Sequence, residues 1–328
     1  MAKNRDFSSR AFQLGGKIVG SRDRNWQCHL GALLLGRGAA VHGTVRAAER
    51  RATLAAGGLG AATVHLLDVC DAAAVEAVVA AAAPDVLFHL AARTYVPAAA
   101  VDPAGAFTVN ALGTLHVLAA VARHAPRCRI VAVGSADAYG AVPEAAQPIV
   151  ESTPLRPLSA YGASKAAADV LAGQWADGGG LDVVRVRPFN HTGPGQDARF
   201  VCADFARQLV AVRRGTQPPR IEVGDLEPVR DFSDVRDVVA AYVAVAERGA
   251  RGAVYNVCSG VGRSIRSVLD DLITAAGVSV EVVPRPERQR SNRVPLLVGS
   301  HAALTAATGW QPRVGWEQTL AAVIASVA

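Results

Sequence analysis

Charged residues, aromatic residues and long apolar runs are all scarce in this chain of 328 residues. Hydrophobic residues make up 51% of it and charged residues only 19%, a balance that excludes intrinsic disorder because such a chain can bury a core. Charge or proline interrupts the apolar runs before the roughly 18 residues that a membrane span needs, so we expect no membrane partner. The opening residues MAKNRDFSSRAFQLGG lack the apolar stretch of a signal peptide. These absences predict a cytoplasmic protein.

Cysteine is also sparse and widely spaced. The five cysteines form no CxxC pair. This argues against a disulfide scaffold or a zinc ribbon and fits a reducing compartment. We therefore expect no metal site.

Lysine is nearly absent, since Lys3, Lys17 and Lys165 are the three lysines among 34 basic residues. The net charge of +6 suggests a polyanionic partner, but a composition rich in alanine, glycine and arginine explains it more simply. A nucleic-acid surface combines a basic face with stacking aromatic side chains. The basic cluster near the carboxyl terminus has few aromatic neighbours, so we predict no nucleic-acid partner and interpret Arg285 and Arg288 as part of a solvated loop.

Short β-branched runs alternate with alanine-rich helical stretches. The predicted strands are Val41–Val45, Val64–Leu67, Val86–His89, Ile130–Val133, Val183–Val186 and Val254–Val257, and the predicted helices lie at 29–37, 72–83, 98–124 and 160–177. This alternation predicts an α/β fold with a doubly wound parallel sheet. Proline and glycine become dense after Arg187, so we divide the chain into a nucleotide-binding domain (1–188 and 231–258) and a smaller domain (189–230 and 259–328).

Tyr161 and Lys165 form the first candidate site. Their spacing of four places both side chains on one face of a predicted helix. A nearby ammonium lowers the pKa of a phenol and makes it useful for proton transfer, although a surface Tyr and Lys on an amphipathic helix would show the same spacing. Ser135 follows a predicted strand at the edge where open parallel sheets bind ligands. These three residues predict a proton-transfer site.

Five motifs in order carry a family resemblance. They are HLAA (His89–Ala92), NALGT (Asn110–Thr114), GSADAYG (Gly134–Gly140), YGASK (Tyr161–Lys165) and RPFNHTGPG (Arg187–Gly195). This series resembles the extended short-chain dehydrogenases/reductases, the epimerase/dehydratase family, with a Rossmann-type sheet. The resemblance implies that Tyr161 exchanges the proton, Lys165 lowers its pKa and holds the nicotinamide ribose, Ser135 binds the substrate oxygen, and Asn110 completes a proton relay.

The resemblance also implies cofactor contacts. In such a fold an arginine at the end of the second strand accommodates the 2′-phosphate of NADP(H), whereas an acid binds the 2′-hydroxyl of NAD(H). Arg46 stands there, so NADP(H) is expected and NAD(H) is the alternative; a solvated arginine would look the same. Asp68 and Val69 match the adenine contacts, with Asp68 also suited to cap a helix. The HLAA motif adds Leu90, Ala91 and Ala92.

The glycine-rich loop of the family is missing. It should occupy about 20–27, which reads GSRDRNWQ, and only Gly20, after a predicted strand Lys17–Val19, could replace one of its glycines. Glycines there let the backbone approach the pyrophosphate. Three explanations remain open: a different mode of phosphate binding, loss of cofactor binding, or a reading-frame error in this stretch.

The resemblance places a nucleotide-sugar diphosphate in the smaller domain. Asn190, Arg230 and Arg290 match residues that contact the nucleotide or its phosphates, and guanidinium groups suit phosphate oxygens. The run from RPFNHTGPGQ to VYNVCSG most resembles GDP-4-keto-6-deoxymannose reductases and, next, GDP-mannose 4,6-dehydratases. The first prediction is therefore reduction of the C4 ketone of a GDP-linked 4-keto-6-deoxyhexose, as in GDP-rhamnose formation.

Asp137 separates the alternatives. Dehydratases of this kind carry a glutamate there as a base, so Asp137, one methylene shorter, allows dehydration or serves as a turn residue in a reductase. The alternatives are a nucleotide-sugar 4,6-dehydratase or epimerase, and a catalytically silent nucleotide-sugar-binding protein that lacks the cofactor loop. The family also implies a homodimer through helices 98–124 and 160–177.

Overall fold

A parallel sheet of seven strands forms the centre of the molecule. The computed structural model describes residues 10–14, 26–48, 54, 58–288 and 294–328, with backbone alone for 10–14 and Trp26. The strands are β1 (Arg10–Leu14), β2 (Ala40–Val45), β3 (Thr63–Leu66), β4 (Val86–His89), β5 (Arg129–Val133), β6 (Asp182–Pro188) and β10 (Val254–Val257). Their order is β10-β6-β5-β4-β1-β2-β3, and every pair is parallel. From β1 the chain adds β2 and β3 on one side, and it then crosses back to add β4, β5 and β6 on the other side. This change between β1 and β4 is the switch point of a Rossmann sheet.

Helices cover both faces of this sheet. They are α1 (Trp26–Gly36), α2 (Ala72–Ala82), α3 (Val96–Val101), α4 (Pro103–His124), α5 (Ala160–Asp177), α6 (Val201–Arg213), α7 (Val235–Arg248), α8 (Ile265–Ala276), α9 (Ala302–Thr308) and α10 (Trp316–Val327). One core joins the sheet to α1, α7 and α9, and the other joins it to α2, α4 and α5. Strands β4 and β5 are buried along their whole length because apolar layers lie on both sides.

A third apolar core lies in the carboxyl-terminal half. Helices α6, α8 and α10 pack there with β8 (Arg220–Val223) and β12 (Glu281–Pro284). Beside this third core lies a small sheet of β7 (Asn190–Thr192), β9 (Val229–Asp234), β11 (Gly262–Ser264) and β13 (Leu296–Leu297), with Phe232 of β9 packed into the core. Leu304 and Trp310 pack into the first core although the sequence division places them in the second domain. The division into two domains stays a prediction.

The sequence located most elements of the main sheet closely. Strands Val86–His89 and Val254–Val257 have the predicted bounds, as does the helix at 160–177. The single helix predicted at 98–124 is wrong, because the helix ends at Val101 and a new one begins at Pro103. The Asp102 carboxylate accepts from the Gly105 N–H and starts the second helix. The predicted strand Lys17–Val19 lies outside the described residues, and Arg10–Leu14 fills the place between β2 and β4.

Helix α4 changes one expectation from the sequence. Among the residues that the structure describes, it is the one helix whose length and apolar composition would suffice to cross a membrane. Its side chains Val117, Leu118 and Val121 are buried against the sheet in the second of the two main cores. The prediction that all apolar segments are too short is therefore wrong for α4, although its burial fits a core helix.

Gly140 fixes the end of the GSADAYG segment and gives a test of the fold. Its φ is +69°, and a Cβ atom there would overlap the main-chain oxygen of Arg156. Gly215 has the same φ, but nothing lies close to it. Gly215→Ala should therefore lower the free energy of unfolding only by the strain of a left-handed alanine, about 1–2 kcal/mol. Because of the overlap with Arg156, we expect Gly140→Ala to lower the free energy of unfolding by about 1–3 kcal/mol more than Gly215→Ala does, as measured by urea denaturation. Equal losses in the two variants would contradict this account.

Candidate active site

A cleft of about 1270 Å³ opens at the carboxyl ends of β5 and β6, between the main sheet and the third apolar core. Open α/β sheets bind their ligands at this edge. The cleft brings together side chains that the sequence places far apart: Leu90, Ala92, Ser135, Asp137, Tyr161, Lys165, Asn190 and Arg230. The structure therefore collects catalytic, cofactor and substrate candidates on the walls of one cavity.

Tyr161 lies in the first turn of α5, which Ser159 caps by accepting from the Gly162 N–H. Tyr161 is 7% exposed and lines the same cleft as Ser135. Burial raises the pKa of Tyr161, the charge of Asp137 raises it further, and Ser135 opposes the rise. The phenol is consequently protonated at neutral pH, which is the form that can donate a proton.

Lys165 is buried one turn after Tyr161 on the same helix. Its ammonium donates to the main-chain oxygen of Val133 at 2.5 Å, at the end of β5. Burial lowers the pKa of Lys165 to about 8, and the Asp169 carboxylate opposes this. Lys165 is not among the described groups that shift the pKa of Tyr161. The lowering of that pKa by Lys165 stays a prediction.

Asn110 lies in a π-helical turn, Thr108–Leu112, inside α4. Its side-chain oxygen accepts from the Arg93 N–H at 2.7 Å, and its amide donates to the Ser164 hydroxyl at 2.8 Å. Its main-chain oxygen accepts from the Thr114 hydroxyl at 2.6 Å. Such turns often occur at functional sites. Asn110 joins the loop after β4 to α5 beside Lys165, and its role in a proton relay stays a prediction.

A buried polar cluster beneath the site was not predicted from the sequence. The Asp169 carboxylate accepts from Arg187 at 2.8 and 2.9 Å and from Arg185 at 3.2 Å. Arg187 also donates to the hydroxyl of Tyr139, which in turn donates to Asn256 at 2.8 Å. The spacing of four between Lys165 and Asp169 was the only sequence signal available. This cluster connects α5, β6 and the GSADAYG segment.

The candidate cofactor residues follow β2, β3 and β4 at the same carboxyl edge of the parallel sheet. Arg46, just after β2, forms an ion pair with Asp68 at 3.0 Å, and both side chains are more than a third exposed. The Val69 main-chain oxygen interacts with His116 at 2.9 Å, and Leu90, Ala91 and Ala92 are buried at the end of β4. An exposed guanidinium beside a carboxylate suits a ribose phosphate and an adenosine, so these residues fit NADP(H). Gly20 lies outside the described residues.

Two of the candidate substrate residues lie on strands of the small sheet. Asn190 is exposed on β7, and Arg230 on β9 donates to the main-chain oxygens of Val229 and Val294, both at 2.7 Å. Burial lowers the pKa of Arg230, and Asp137 opposes this, so the two side chains interact across the cleft. Arg290 lies outside the described residues.

Two further arginines line the cleft, and the sequence analysis gave neither a role there. Arg288 pairs with Asp204 at 2.7 Å and lines the cleft, and because Arg288 is exposed its interpretation as part of a solvated loop stays a prediction. Arg199 lies over the ring of Tyr95, with its guanidinium carbon 5.2 Å from the ring centre. Arg285 pairs with Glu222 and does not line the cleft. The cleft therefore has more cationic side chains than the motifs alone indicated.

Comparisons with known proteins agree with this geometry. A sequence model of the family described as GDP-mannose 4,6 dehydratase matches residues 28–323. The GDP-6-deoxy-D-mannose reductase of Pseudomonas aeruginosa is 44% identical over 241 residues, which cover 74% of this chain and 79% of that protein. The UDP-glucose 4-epimerase of Mycolicibacterium smegmatis is 34% identical over 245 residues, covering 74% of this chain and 75% of that one.

A solved structure supports the same assignment. The structure of RMD from Pseudomonas aeruginosa complexed with NADPH superposes with a TM-score of 0.83 at 35% identity, covering 97% of this chain and 98% of that one. The family match begins at residue 28, just after the stretch in which the glycine-rich loop is missing. The chain belongs to the GDP-mannose 4,6-dehydratase family, within the extended short-chain dehydrogenases/reductases.

Proposed function

We propose that this protein reduces the C4 ketone of a GDP-linked 4-keto-6-deoxyhexose with NADPH. The observation that carries the proposal is that Tyr161, Ser135 and the buried Lys165 line one cleft of about 1270 Å³. The reductase relative at 44% identity supports the same substrate class.

The side chains divide the chemistry between them. When NADPH is bound, its nicotinamide supplies a hydride. Ser135 hydrogen bonds to the ketone oxygen and orients it, and Tyr161 donates its proton to that oxygen as negative charge develops there. Because burial holds the phenol protonated, the donor is ready before the ketone binds. Lys165, which is buried and lines the same cleft, would hold the ribose of the nicotinamide.

The substrate diphosphate is assigned to the cationic side of the cleft. Arg230 is fixed by main-chain oxygens on its inner side and lines the cleft, so its guanidinium is positioned for phosphate oxygens. Asn190 lines the same wall, and Arg290 is assigned to the diphosphate from its motif.

NADP(H) is proposed over NAD(H) because of Arg46. No carboxylate ends β2, and the guanidinium of Arg46 lies on the exposed edge where the adenosine ribose of such cofactors binds. The structure of RMD with NADPH supports this choice.

Reduction is favoured over dehydration because Asp137 stands where dehydratases of this kind carry a glutamate, and its side chain is one methylene shorter. The reductase relative at 44% identity supports the same choice. Burial raises the pKa of Asp137, with Arg230 and Ser135 opposing the rise.

An assay with GDP-4-keto-6-deoxymannose tests the proposal. With NADPH we expect loss of absorbance at about 340 nm and formation of a 6-deoxyhexose nucleotide, with weaker turnover when NADH replaces NADPH because Arg46 favours the 2′-phosphate. Sugar turnover without net NADPH consumption would contradict reduction and favour the dehydratase or epimerase. Failure to bind NADPH in a calorimetric titration would favour the silent binding protein.

Tyr161→Phe tests the proton donor. We expect it to lower kcat by about 10²–10⁴-fold, because only the proton transfer is lost. The dissociation constant for the nucleotide sugar should stay nearly unchanged, as measured by calorimetry. A loss of affinity as large as the loss of kcat would show that Tyr161 acts in binding instead.

A cytoplasmic location is proposed for the protein. The five cysteines, all of them among the described residues, form no disulfide bond, and four of them are buried. Thiols outside disulfide bonds are typical of reducing compartments.

We also propose a homodimer formed through α4 and α5. These helices lie side by side, and with α3 they expose the large apolar side chains Val101, Phe107, Leu112 and Val170. Exposed apolar side chains grouped on neighbouring helices are typical of interaction surfaces.

Val170→Glu tests the dimer. Val170 is 63% exposed, so the charge should not disturb the fold, whereas at a dimer interface it would be buried without a partner. We expect light scattering to give twice the chain mass of 33.9 kDa for the parent and a lower mass for the variant. Val261→Glu, at a position 48% exposed and remote from these helices, serves as the control and should stay dimeric. A monomeric parent would contradict the proposal.

A further inference from the structure

Residues 193–200 connect β7 to α6, and all of them except Gly195 line the cleft. This segment is termed the strap. Two side chains from the amino-terminal half of the chain contact it: His29 on α1 and Tyr95 just before α3. Both of these residues also line the cleft. The strap is therefore attached at two points to the part of the fold that carries the main sheet.

His29 holds the beginning of the strap. Its Nε2 atom lies 3.0 Å from the main-chain oxygen of Pro194. Because a carbonyl oxygen can only accept, Nε2 carries a proton and donates it. His29 is half-buried, and its neighbour Leu30 is fully buried in the core that joins α1 to the main sheet. The donor is thus fixed on a helix that the core holds in place.

Tyr95 holds the end of the strap. The guanidinium carbon of Arg199 lies 5.2 Å from the centre of the Tyr95 ring, and the ring of Phe200 meets the Tyr95 ring edge to face at 6.4 Å. Both arrangements are attractive, because the face of an aromatic ring is negative and its edge is positive. Nε of Arg199 also donates to the Asp197 carboxylate at 2.8 Å, inside the strap. The guanidinium is therefore held on the strap while it contacts Tyr95.

Hydrogen bonds within the strap brace it between these two attachments. The Gln196 N–H donates to the main-chain oxygen of Gly193 at 3.3 Å, and the Phe200 N–H donates to that of Asp197 at 3.0 Å. The side-chain amide of Gln196 donates to the main-chain oxygen of His191, on β7, at 2.9 Å. A segment braced in this way opens as a unit, so His29 and Tyr95 resist the same movement.

We propose that His29 and Tyr95 are positioning residues that hold the strap against the cofactor side of the cleft and slow the release of the cofactor. This inference rests on the proposed reduction, in which NADPH is consumed and the oxidised cofactor must leave after each turnover. His29 lies in the first turn of α1, the end of that helix where Rossmann folds bind the pyrophosphate. Tyr95 follows Ala92, a candidate cofactor residue, by three positions. Both attachments therefore lie beside the residues assigned to the cofactor.

The strap must move each time the cofactor is exchanged. Weakening either attachment raises the fraction of molecules in which the strap is open, so the cofactor leaves faster. His29 and Tyr95 form none of the described hydrogen bonds of Ser135, Tyr161 or Lys165. The hydride and proton transfers should therefore keep their rate when an attachment is removed.

Amide hydrogen exchange of the protein without ligands tests the attachments. In His29→Ala we expect peptides covering the strap to exchange about 2- to 10-fold faster than in the parent, the effect of one lost hydrogen bond. Tyr95→Leu should also speed exchange there, because leucine offers no aromatic face to Arg199. His29→Gln keeps a donor and should stay within about 2-fold of the parent. His301→Ala, the control, removes a half-buried histidine that bonds to Thr305 outside the cleft and should leave the strap unchanged.

The rate of NADPH dissociation tests the role of the strap. We expect it to rise about 2- to 10-fold in His29→Ala and in Tyr95→Leu, measured in a stopped-flow instrument by displacement with excess NADP⁺. Hydride transfer in a single turnover should stay within about 2-fold of the parent rate, because the attachments act on release and not on the chemical step. The His301→Ala control should match the parent in both rates.

Three results would overturn the proposal. Exchange in the strap at the parent rate in both variants would show that neither attachment holds it, and exchange that rises equally over the whole chain would show that the two residues only stabilise the fold. Unchanged NADPH release despite faster exchange in the strap would show that the strap does not retain the cofactor. If the parent protein binds no NADPH, the exchange experiment still tests the attachments, and it is the proposed function that fails.

Discussion

The buried carboxylate of Asp169 is the constraint on which the rest of the site depends. Its side chain is 2% exposed, and it binds the two arginines of β6 while lying one turn after Lys165 on α5. An unpaired charge at such depth would be strongly destabilising, so the helix must stay where both guanidinium groups reach it. The cluster thereby fixes Tyr161 and Lys165 against the sheet. Arg187 also lies against Tyr139, which places the Ser135–Asp137 turn relative to the same helix.

The two sides of the cleft next to this cluster are assigned different roles in the reaction. On one side Lys165 and the buried ends of β4 and β5 face the place assigned to the nicotinamide. On the other side Asp137 and Arg230 balance each other's charge where the substrate diphosphate is assigned.

The sequence predicted those parts of the molecule that depend on local pattern. Continuous apolar runs located Val86–His89 and Val254–Val257, and ordered motifs located Ser135, Tyr161 and Lys165. The break at Asp102 was missed because the apolar pattern continues through Pro103 in the next helix. The pairing of Asp169 with Arg187, and of Arg46 with Asp68, joins residues on different elements, so only the packed fold determines it. The same holds for the Leu304 and Trp310 contacts with the first core.

Transfer of deuterium is the most direct test of the central claim, that this cleft carries out reduction at C4. GDP-4-keto-6-deoxymannose would be incubated with NADPH that carries deuterium at the transferable position of its nicotinamide, and the sugar product analysed by NMR spectroscopy. The account predicts one deuterium at C4 of the hexose for each NADPH consumed. Product formed without deuterium at C4 would contradict it.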